Sequence, residues 1–250
     1  MHRLPRRASP SGRVKQDKIL ISRILSLSEV NALGCSSATL VSKGSPTKPD
    51  LFRLKFQDGR EPIVLKTYAL KNALVRMTVG RFVTSREHRL LSHLEDIEGI
   101  CKVAHPPGPV SLFLKLIPGK ALNRFGKDSL SPEVFQRLEV VVRRMHEADV
   151  VHLDLGHRGN ILISPADAPV LLDFQSALYV KRWPSGIRGW LERIDRLTLL
   201  KWKEKRFPRI LTPEEQRACR QREKMVLLWP WSHSQAKHKR KLAAERKPKR

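Results

Sequence analysis

Cysteine is scarce in this sequence, and its scarcity excludes two common ways of stabilising a small protein. The 250 residues contain three cysteines, Cys35, Cys101 and Cys219, which lie far apart along the chain. Their odd number does not fit a disulfide framework, and their spacing does not match a metal-binding motif. We therefore expect free thiols in a reducing cytoplasm.

Long hydrophobic runs are also missing. The longest apolar stretch, residues 225–231, is far shorter than the roughly 20 residues with which a helix crosses a bilayer. The basic N-terminus is not followed by the apolar core of a signal peptide. The sequence thus predicts a cytoplasmic protein, with peripheral contact at the inner membrane face as a further option.

Acidic residues are few relative to basic ones. The chain has 49 Lys plus Arg and 24 Asp plus Glu, which gives a net charge of +25. Residues 1–17 and 233–250 are basic tails whose composition predicts disorder. A charge of this sign indicates a polyanionic partner such as nucleic acid, acidic lipid or a phosphorylated glycan, although basic tails can also serve solubility alone.

The first half of the chain contains short strand patterns. Residues 38–43, 51–56 and 62–68 predict three strands, and Asp58-Gly59 is typical of a hairpin turn. The third of these strands carries Lys66. No GxGxxG motif precedes Lys66, so only Gly44 and Ser45 offer backbone amides for a phosphate.

A helix is predicted near Ser85, with Leu91, Leu94 and Ile97 on one face. Glu87 precedes Leu91 by four residues and therefore lies on the same apolar stripe. A carboxylate that faces a core needs a cationic partner, because burial of a lone charge is costly.

The second half alternates strands and helices. Residues 112–117 predict a strand, and Ser131-Pro132-Glu133 is typical of a helix start. Residues 161–164 and 170–174 predict a short hairpin that follows a loop over 152–160. The two expected helices have apolar stripes formed by Val134, Phe135, Leu138, Val141, Val142 and Met145, and by Ile187, Trp190, Leu191, Ile194 and Leu197.

Five polar residues have the chemistry that phosphoryl transfer from ATP requires. One carboxylate must orient the acceptor hydroxyl, and another carboxylate together with an amide oxygen must hold Mg²⁺. A lysine must bind the phosphates, and a glutamate must hold that lysine. In the order of the protein-kinase signature, these residues are Lys66, Glu87, Asp154, Asn160 and Asp173.

On these residues the chain resembles small bacterial members of the protein-kinase-like superfamily, namely lipopolysaccharide kinases that phosphorylate Kdo or heptose and RIO-type kinases. The resemblance covers about residues 38–215. It extends through Gly80-Arg81-Phe82 and through the segment 144–155, which is similar to the helix that leads into the catalytic loop.

The resemblance implies a role for each residue. Asp154 would be the catalytic base, and Lys66 would bind the phosphates while paired with Glu87. Asn160 and Asp173 would bind Mg²⁺ and the nucleotide. Gly44 and Ser45 are the further candidates for nucleotide contact, and His152 would support Asp173 from within the loop.

Several positions depart from the kinase pattern. Asp154 and Asn160 are six residues apart, where the signature has five, so the loop carries one extra residue. Leu153 replaces the arginine that often precedes the catalytic aspartate, and Gln175 replaces the glycine of Asp-Phe-Gly. Gly156 replaces a lysine whose charge Arg158 could supply.

We therefore expect an α+β fold of the protein-kinase-like, two-lobed type, with a small antiparallel-sheet N-lobe and a shortened helical C-lobe. The expected boundaries are 18–113 for the N-lobe, 114–120 for the hinge and 121–232 for the C-lobe, with ATP and Mg²⁺ in the cleft between the lobes. We expect a monomer.

The acceptor is the open part of the hypothesis. The first choice is a sugar hydroxyl of lipopolysaccharide or a similar glycolipid, and the second is a serine or threonine of a protein. The alternatives are an aminoglycoside-type small-molecule phosphotransferase, a pseudokinase and a nucleic-acid-binding module on a kinase scaffold. Residues 225–231, followed by the basic tail, also favour an anionic membrane surface, although this segment could instead close the C-lobe core.

Overall fold

A computed structural model describes Ile24 and residues 34–126, 129–157, 159–206 and 211–226, without the side chains of 220–226. The predicted tails, residues 1–17 and 233–250, lie outside the described residues, as do Arg158 and most of the apolar segment 225–231. The chain forms two compact units, Met1–Ser92 with Lys102–Ile117 and His93–Cys101 with Pro118–Arg250.

The first unit is built on a five-stranded antiparallel sheet. Its order is β1-β2-β3-β5-β4. The strands are β1 (Cys35–Ser42), β2 (Asp50–Phe56), β3 (Ile63–Thr67), β4 (Val103–Gly108) and β5 (Ser111–Lys115).

The structure confirms the first three predicted strands, and residue alternation explains the second of them. In β2, Phe52, Leu54 and Phe56 are buried, whereas Arg53 and Lys55 between them are exposed. Successive side chains of a strand point to opposite faces, so this pattern gives one apolar face. That face packs in a core with Ile24 and Leu65.

Strand β4 was not predicted from the sequence. It contains Pro106-Pro107, a pair that is typical of turns, and its pairing with β5 has register shifts on both sides of His105. The strand lies at the edge of the sheet. A proline is tolerated there because its missing N–H need not complete a ladder.

A helical segment follows β3. It begins as a short helix, α1 (Ala73–Val75), continues through a π-helical turn, Arg76–Gly80, and becomes α2 (Arg81–His93). The side-chain oxygen of Asn72 accepts the Val75 N–H at 2.8 Å and caps the start. The predicted helix near Ser85 is thereby confirmed.

The end of this helix and its close approach to the sheet both depend on particular residues. Leu91 and Leu94 are buried, as expected, but the helix ends before Ile97, so the predicted stripe was too long. A Cβ added at Gly80 would lie 2.9 Å from the Tyr68 Cβ, so only glycine fits at this position.

The second unit is mostly helical. Its helices are α3 (Pro132–Glu147), α4 (Ser185–Arg206) and α5 (Pro213–Val226). Short strands complete it in two sheets, β6 (Lys120–Ala121), β8 (Ile161–Ile163) and β9 (Pro169–Leu171) in the first, and β7 (Val150–Val151) with β10 (Leu178–Tyr179) in the second. Two short 3-10 helices cover Leu122–Arg124 and Phe174–Ser176.

The helix stripes of this unit are confirmed fully in α3 and partly in α4. All six predicted apolar residues of α3 are buried, and Pro132 occupies its first turn. In α4, Leu191, Ile194 and Leu197 are buried, but Ile187 is 46% exposed, so the prediction that it lies in the stripe was wrong. The stripe continues instead toward the C-terminal end of α4.

The cysteines and helices give two further results. All three cysteines are buried. Within the described ranges, no helix is long and apolar enough to cross a membrane.

Candidate active site

In the first unit, the predicted site residues on β3 and α2 form an ion pair. Lys66 Nζ lies 2.8 Å from Glu87 Oε1, and the two side chains are only 8% and 2% exposed. The sequence predicted this pair because Glu87 shares the buried face of its helix. The structure confirms the contact, and the pairing compensates two charges that would each be costly to bury alone.

The backbone positions the lysine. Lys66 pairs with Leu51 on one side and Leu112 on the other, so it lies in the middle of the sheet. Next to Glu87, burial lowers the pKa of the Arg86 guanidinium, while the Glu87 carboxylate acts in the opposite direction. The surroundings of the pair are therefore both desolvated and charged.

The loop between β1 and β2 is held by a second buried ion pair, which the sequence analysis missed. Lys71 Nζ contacts Asp50 Oδ1 at 2.8 Å and the Gly44 carbonyl oxygen at 3.3 Å. Asp50 Oδ1 also accepts the Gly44 N–H at 2.8 Å. A Cβ added at Gly44 would lie 2.2 Å from the Pro49 carbonyl oxygen, so this turn requires glycine.

This loop was expected to contact a phosphate through Gly44 and Ser45. In the structure the Gly44 amide is already bonded within the loop. The nucleotide role assigned to Gly44 and Ser45 stays a prediction.

The other predicted site residues lie in the second unit, in and after the loop that follows β7. The first residues of this loop are fixed by Asp195, which is 1% exposed on α4. Asp195 accepts the backbone N–H of His152 at 2.7 Å and that of Leu153 at 2.8 Å, and His146 Nε2 lies 3.1 Å from the same carboxylate. Leu153 has a positive φ of 63°, an uncommon conformation that the surrounding contacts must maintain.

The sequence analysis did not identify Asp195. A usable signal was present, since Asp195 follows Ile194 within the apolar stripe of α4, as Glu87 lies within that of α2. Its partners, however, are backbone N–H groups, which leave no mark in a sequence pattern.

His152 links this loop to the strand that precedes Asp173. Its Nδ1 accepts the Asp154 N–H at 3.3 Å, so Nε2 carries the proton and donates to the Leu172 carbonyl oxygen at 3.0 Å. Its ring also packs on that of Phe174 at 4.8 Å between centroids. His152 therefore supports both neighbours of Asp173, in agreement with its expected place in the loop.

Asn160 and Asp154 are in contact despite the extra residue between them. The Asn160 side-chain amide donates to the Asp154 carboxylate at 3.0 Å and to its backbone carbonyl at 2.9 Å. Asn160 Oδ1 lies 3.1 Å from His157 Nδ1, and Asn160 is 3% exposed. The extra residue is accommodated in the turn at His157, so Asn160 remains in contact with Asp154.

Asp173 has the other unusual backbone conformation at the site. Its φ and ψ are 63° and 75°, in the left-handed region, and it immediately precedes the 3-10 helix that begins at the fully buried Phe174. A non-glycine residue in this region costs about 1–3 kcal/mol and often marks a functional position.

Asn160 and Asp173 carry oxygen atoms of the kind that a hard divalent cation prefers. The Leu172 N–H donates to the Asn160 carbonyl at 2.9 Å, so Asn160 lies beside the residue that precedes Asp173. No cluster of three or more His, Cys, Asp or Glu ligands occurs in the described part of the chain. One carboxylate and one amide suit Mg²⁺, which usually takes few protein ligands and completes its shell with phosphate and water.

A separate cavity of about 880 Å³ lies in the second unit. Its lining comes mainly from α3 and α4 and includes His146 but none of Asp154, Asn160 and Asp173. The cavity therefore contributes nothing to the predicted site.

Comparison with solved structures identifies the fold. The Rio2 kinase from Chaetomium thermophilum matches with a TM-score of 0.58 and 13% identity, over 84% of this chain and 72% of that one. The Rio2 kinase-ADP/Mg2+-phosphoaspartate complex from the same organism matches with a TM-score of 0.55 and 14% identity, over 84% and 71% of the two chains. No protein-family model and no curated protein sequence matches the chain.

At such low identity these likenesses show the fold alone. The chain has the protein-kinase-like α+β fold, as the sequence predicted, with an antiparallel sheet in one unit and a helical second unit. The likeness to RIO-type kinases extends to structure, whereas the likeness to lipopolysaccharide kinases is one of sequence motifs.

Proposed function

We propose that this protein is a kinase that transfers the γ-phosphoryl group of ATP to a hydroxyl acceptor. The observation that carries the proposal is the buried Lys66–Glu87 pair, at 2.8 Å on the sheet and helix of a kinase-like fold. Well-packed apolar residues would stabilise a core as well as a buried ion pair does, or better. The pair is therefore best explained by the need for a positioned cation.

In this proposal each of the five polar residues has a role that follows from its chemistry. Lys66 binds the nucleotide phosphates, and Glu87 holds its ammonium group in place. Asp154 orients the acceptor hydroxyl and takes its proton, while the Asn160 amide fixes the aspartate. Asp173 and the Asn160 oxygen would hold Mg²⁺, which when bound neutralises the phosphate charge.

For the acceptor, we favour a sugar hydroxyl of lipopolysaccharide or a similar anionic glycolipid at the inner face of the membrane. Two features support this choice, the motif likeness to lipopolysaccharide kinases and the net charge of +25, which suits an anionic substrate. A peripheral location at the membrane follows from the same choice.

A protein acceptor is the second candidate, and the structural likeness to Rio2 kinase favours it. One of those structures is described as a phosphoaspartate complex. In this alternative the chain would phosphorylate a serine or threonine of a protein or an aspartate of its own.

The test is incubation with γ-labelled ATP and Mg²⁺ in the presence of membrane lipid and soluble protein, followed by separation of the fractions. Label in the lipid fraction supports a glycolipid acceptor. Label in protein supports the alternative, and lability to hydroxylamine identifies an aspartyl phosphate. The exposed Asp96→Asn variant serves as the control for Asp154→Asn. Equal labelling by the native chain and Asp154→Asn would refute the proposed chemistry.

A further inference from the structure

Large apolar side chains are concentrated on the outer side of the helical segment that follows β3. Half of the large apolar residues that are exposed in the described part of the chain lie within residues 70–82. They are Leu74, Phe82, Met77, Leu70 and Val79, at 74%, 62%, 59%, 38% and 37% exposure. Isolated exposed apolar residues are ordinary, but a cluster of this kind indicates a contact surface.

Leu74, Met77, Val79 and Phe82 lie on one continuous helical segment. Its π-helical turn, Arg76–Gly80, contains Met77 and Val79 and connects Leu74 in α1 to Phe82 in α2. The Thr78 hydroxyl donates to the Leu74 carbonyl at 2.7 Å. This bond gives a backbone oxygen on the apolar side a partner within the helix.

The opposite side of the same segment already faces the protein. Thr84, Glu87, Leu90 and Leu91 are the buried residues of α2. The apolar cluster is therefore an additional surface and not the core-facing stripe of the helix.

The exposed charges within residues 70–89 have one sign. Arg76, Arg81 and Arg89 are exposed, and Arg89 lies two helical turns beyond Phe82 on the same side of α2. The only acid among residues 70–89 is Glu87, which is buried and paired with Lys66. Within residues 70–89, the exposed apolar groups are thus accompanied by exposed arginines and by no exposed carboxylate.

We infer that this surface binds an anionic lipid bilayer. We name it the basic apolar face and define it as Leu74, Met77 and Phe82 together with Arg76, Arg81 and Arg89. Apolar side chains that enter the interface and basic side chains that meet anionic headgroups are the two contributions that hold amphipathic helices on membranes. The inference does not depend on the proposed reaction or its acceptor.

Lipid suits this face better than nucleic acid does. Phosphates of a nucleic acid would satisfy the arginines but would leave Leu74 and Met77 without an apolar partner. Base stacking requires aromatic side chains, and Phe82 alone is aromatic in the face. A bilayer supplies the anionic and the apolar partner at once.

All residues of the face are exposed, whereas Lys66 and Glu87 are buried, so membrane contact leaves the Lys66–Glu87 pair covered by the protein as before. Substitutions in the face should therefore change membrane affinity without changing ATP turnover on a soluble acceptor.

The test uses the full chain and vesicles of equal parts phosphatidylcholine and phosphatidylglycerol. In a co-sedimentation assay, the combined variant Leu74→Ser, Met77→Ser and Phe82→Ser should bind at least about tenfold more weakly than the native chain, which corresponds to about 1.4 kcal/mol. Ile187→Ser, an exposed helical residue of the second unit, is the matched control and should bind normally. Equal melting temperatures show that the variants are folded.

A second pair of variants tests the charges. Arg81→Gln with Arg89→Gln should weaken binding about fivefold for each arginine and reduce its salt dependence. Lys181→Gln with Arg182→Gln removes the same charge from an exposed segment of the second unit and should have a smaller effect.

Three results would overturn the inference. One is native-like vesicle binding by the serine variant, and another is equal binding of the native chain to pure phosphatidylcholine vesicles. The third is a serine variant that loses self-association in ultracentrifugation, or duplex DNA binding, while it keeps its vesicle affinity. The face would then be an interface between copies or a nucleic-acid surface.

Discussion

The side-chain amide of Asn160 donates a hydrogen bond to the carboxylate of Asp154 at 3.0 Å. This contact exists although their loop is one residue longer than in the kinase signature. It joins the proposed base to the proposed metal ligand. The extra residue is accommodated in the turn at His157, and the two functional groups remain together.

The first prediction follows from this contact. Asn160→Ala should lower kcat by about 10²-fold, since Asp154 loses the amide that fixes it and the metal loses an oxygen ligand. Asn160→Asp keeps an oxygen ligand but replaces the donor with a second carboxylate, so its activity should recover at raised Mg²⁺ concentration. Steady-state kinetics across a Mg²⁺ series makes the comparison. A native rate in Asn160→Ala would remove Asn160 from the site.

The second prediction concerns Asp195 as a positioning residue. Asp195→Asn keeps one acceptor oxygen but replaces the other with a donor that opposes a backbone N–H of the loop. Hydrogen bonds to charged groups contribute about 1.5–3 kcal/mol each, so unfolding free energy should fall by a similar amount.

Kinetic measurements show whether Asp195 positions the loop for catalysis or only stabilises the fold. With the loop displaced, kcat of the folded fraction should fall, because Asp195 holds the backbone of His152 and Leu153 directly before Asp154. Asp96→Asn, an exposed acid, is the control. Loss of stability with an unchanged kcat for the folded fraction would mean that Asp195 serves the fold alone.

The third prediction addresses the Lys66–Glu87 pair. Glu87→Gln and Lys66→Met should each lower the free energy of unfolding by about 3–5 kcal/mol, since each leaves an uncompensated buried charge. The double variant should cost much less than the sum of the two. Urea unfolding of all four proteins gives the coupling energy, and strict additivity would show that the two charges do not interact.

Local patterns predicted much of this fold because its buried apolar residues recur at the short intervals typical of strands and helices. The alternation around Phe52 and Leu54 gave a strand, and the stripe from Val134 to Met145 gave α3. The Lys66–Glu87 contact was also predictable, since an acid on an apolar stripe needs a cation.

The features that escaped prediction depend on contacts between distant residues. Asp195 binds backbone N–H groups some forty positions earlier in the chain. Strand β4 forms despite Pro106-Pro107 because the sheet places it at an edge. The Asp50–Lys71 pair depends on the conformation of the loop between β1 and β2. The sequence around either residue alone does not predict it.

The fourth prediction concerns the basic tail, residues 233–250, which lie outside the described residues. Deleting them removes a net charge of +7 and should reduce both affinity for anionic vesicles and its salt sensitivity, because screening acts over about 10 Å at 0.1 M salt. Turnover of a soluble acceptor should persist, since the proposed catalytic residues all precede Phe174.

Duplex DNA must be tested beside the vesicles. If the truncated chain loses affinity for DNA alone, the tail binds nucleic acid. If the truncated and full chains bind both ligands equally, the tail serves solubility alone.

The proposal that this chain uses ATP with Mg²⁺ is tested most directly by nucleotide affinity, measured by calorimetry with and without Mg²⁺ in the native chain and in Asp173→Ala. We predict that the native chain binds ATP much more tightly with Mg²⁺. Asp173→Ala, with an unchanged melting temperature, should lose this dependence because its metal ligand is gone. An unchanged Mg²⁺ dependence in Asp173→Ala, or a native chain that does not bind ATP, would contradict the account.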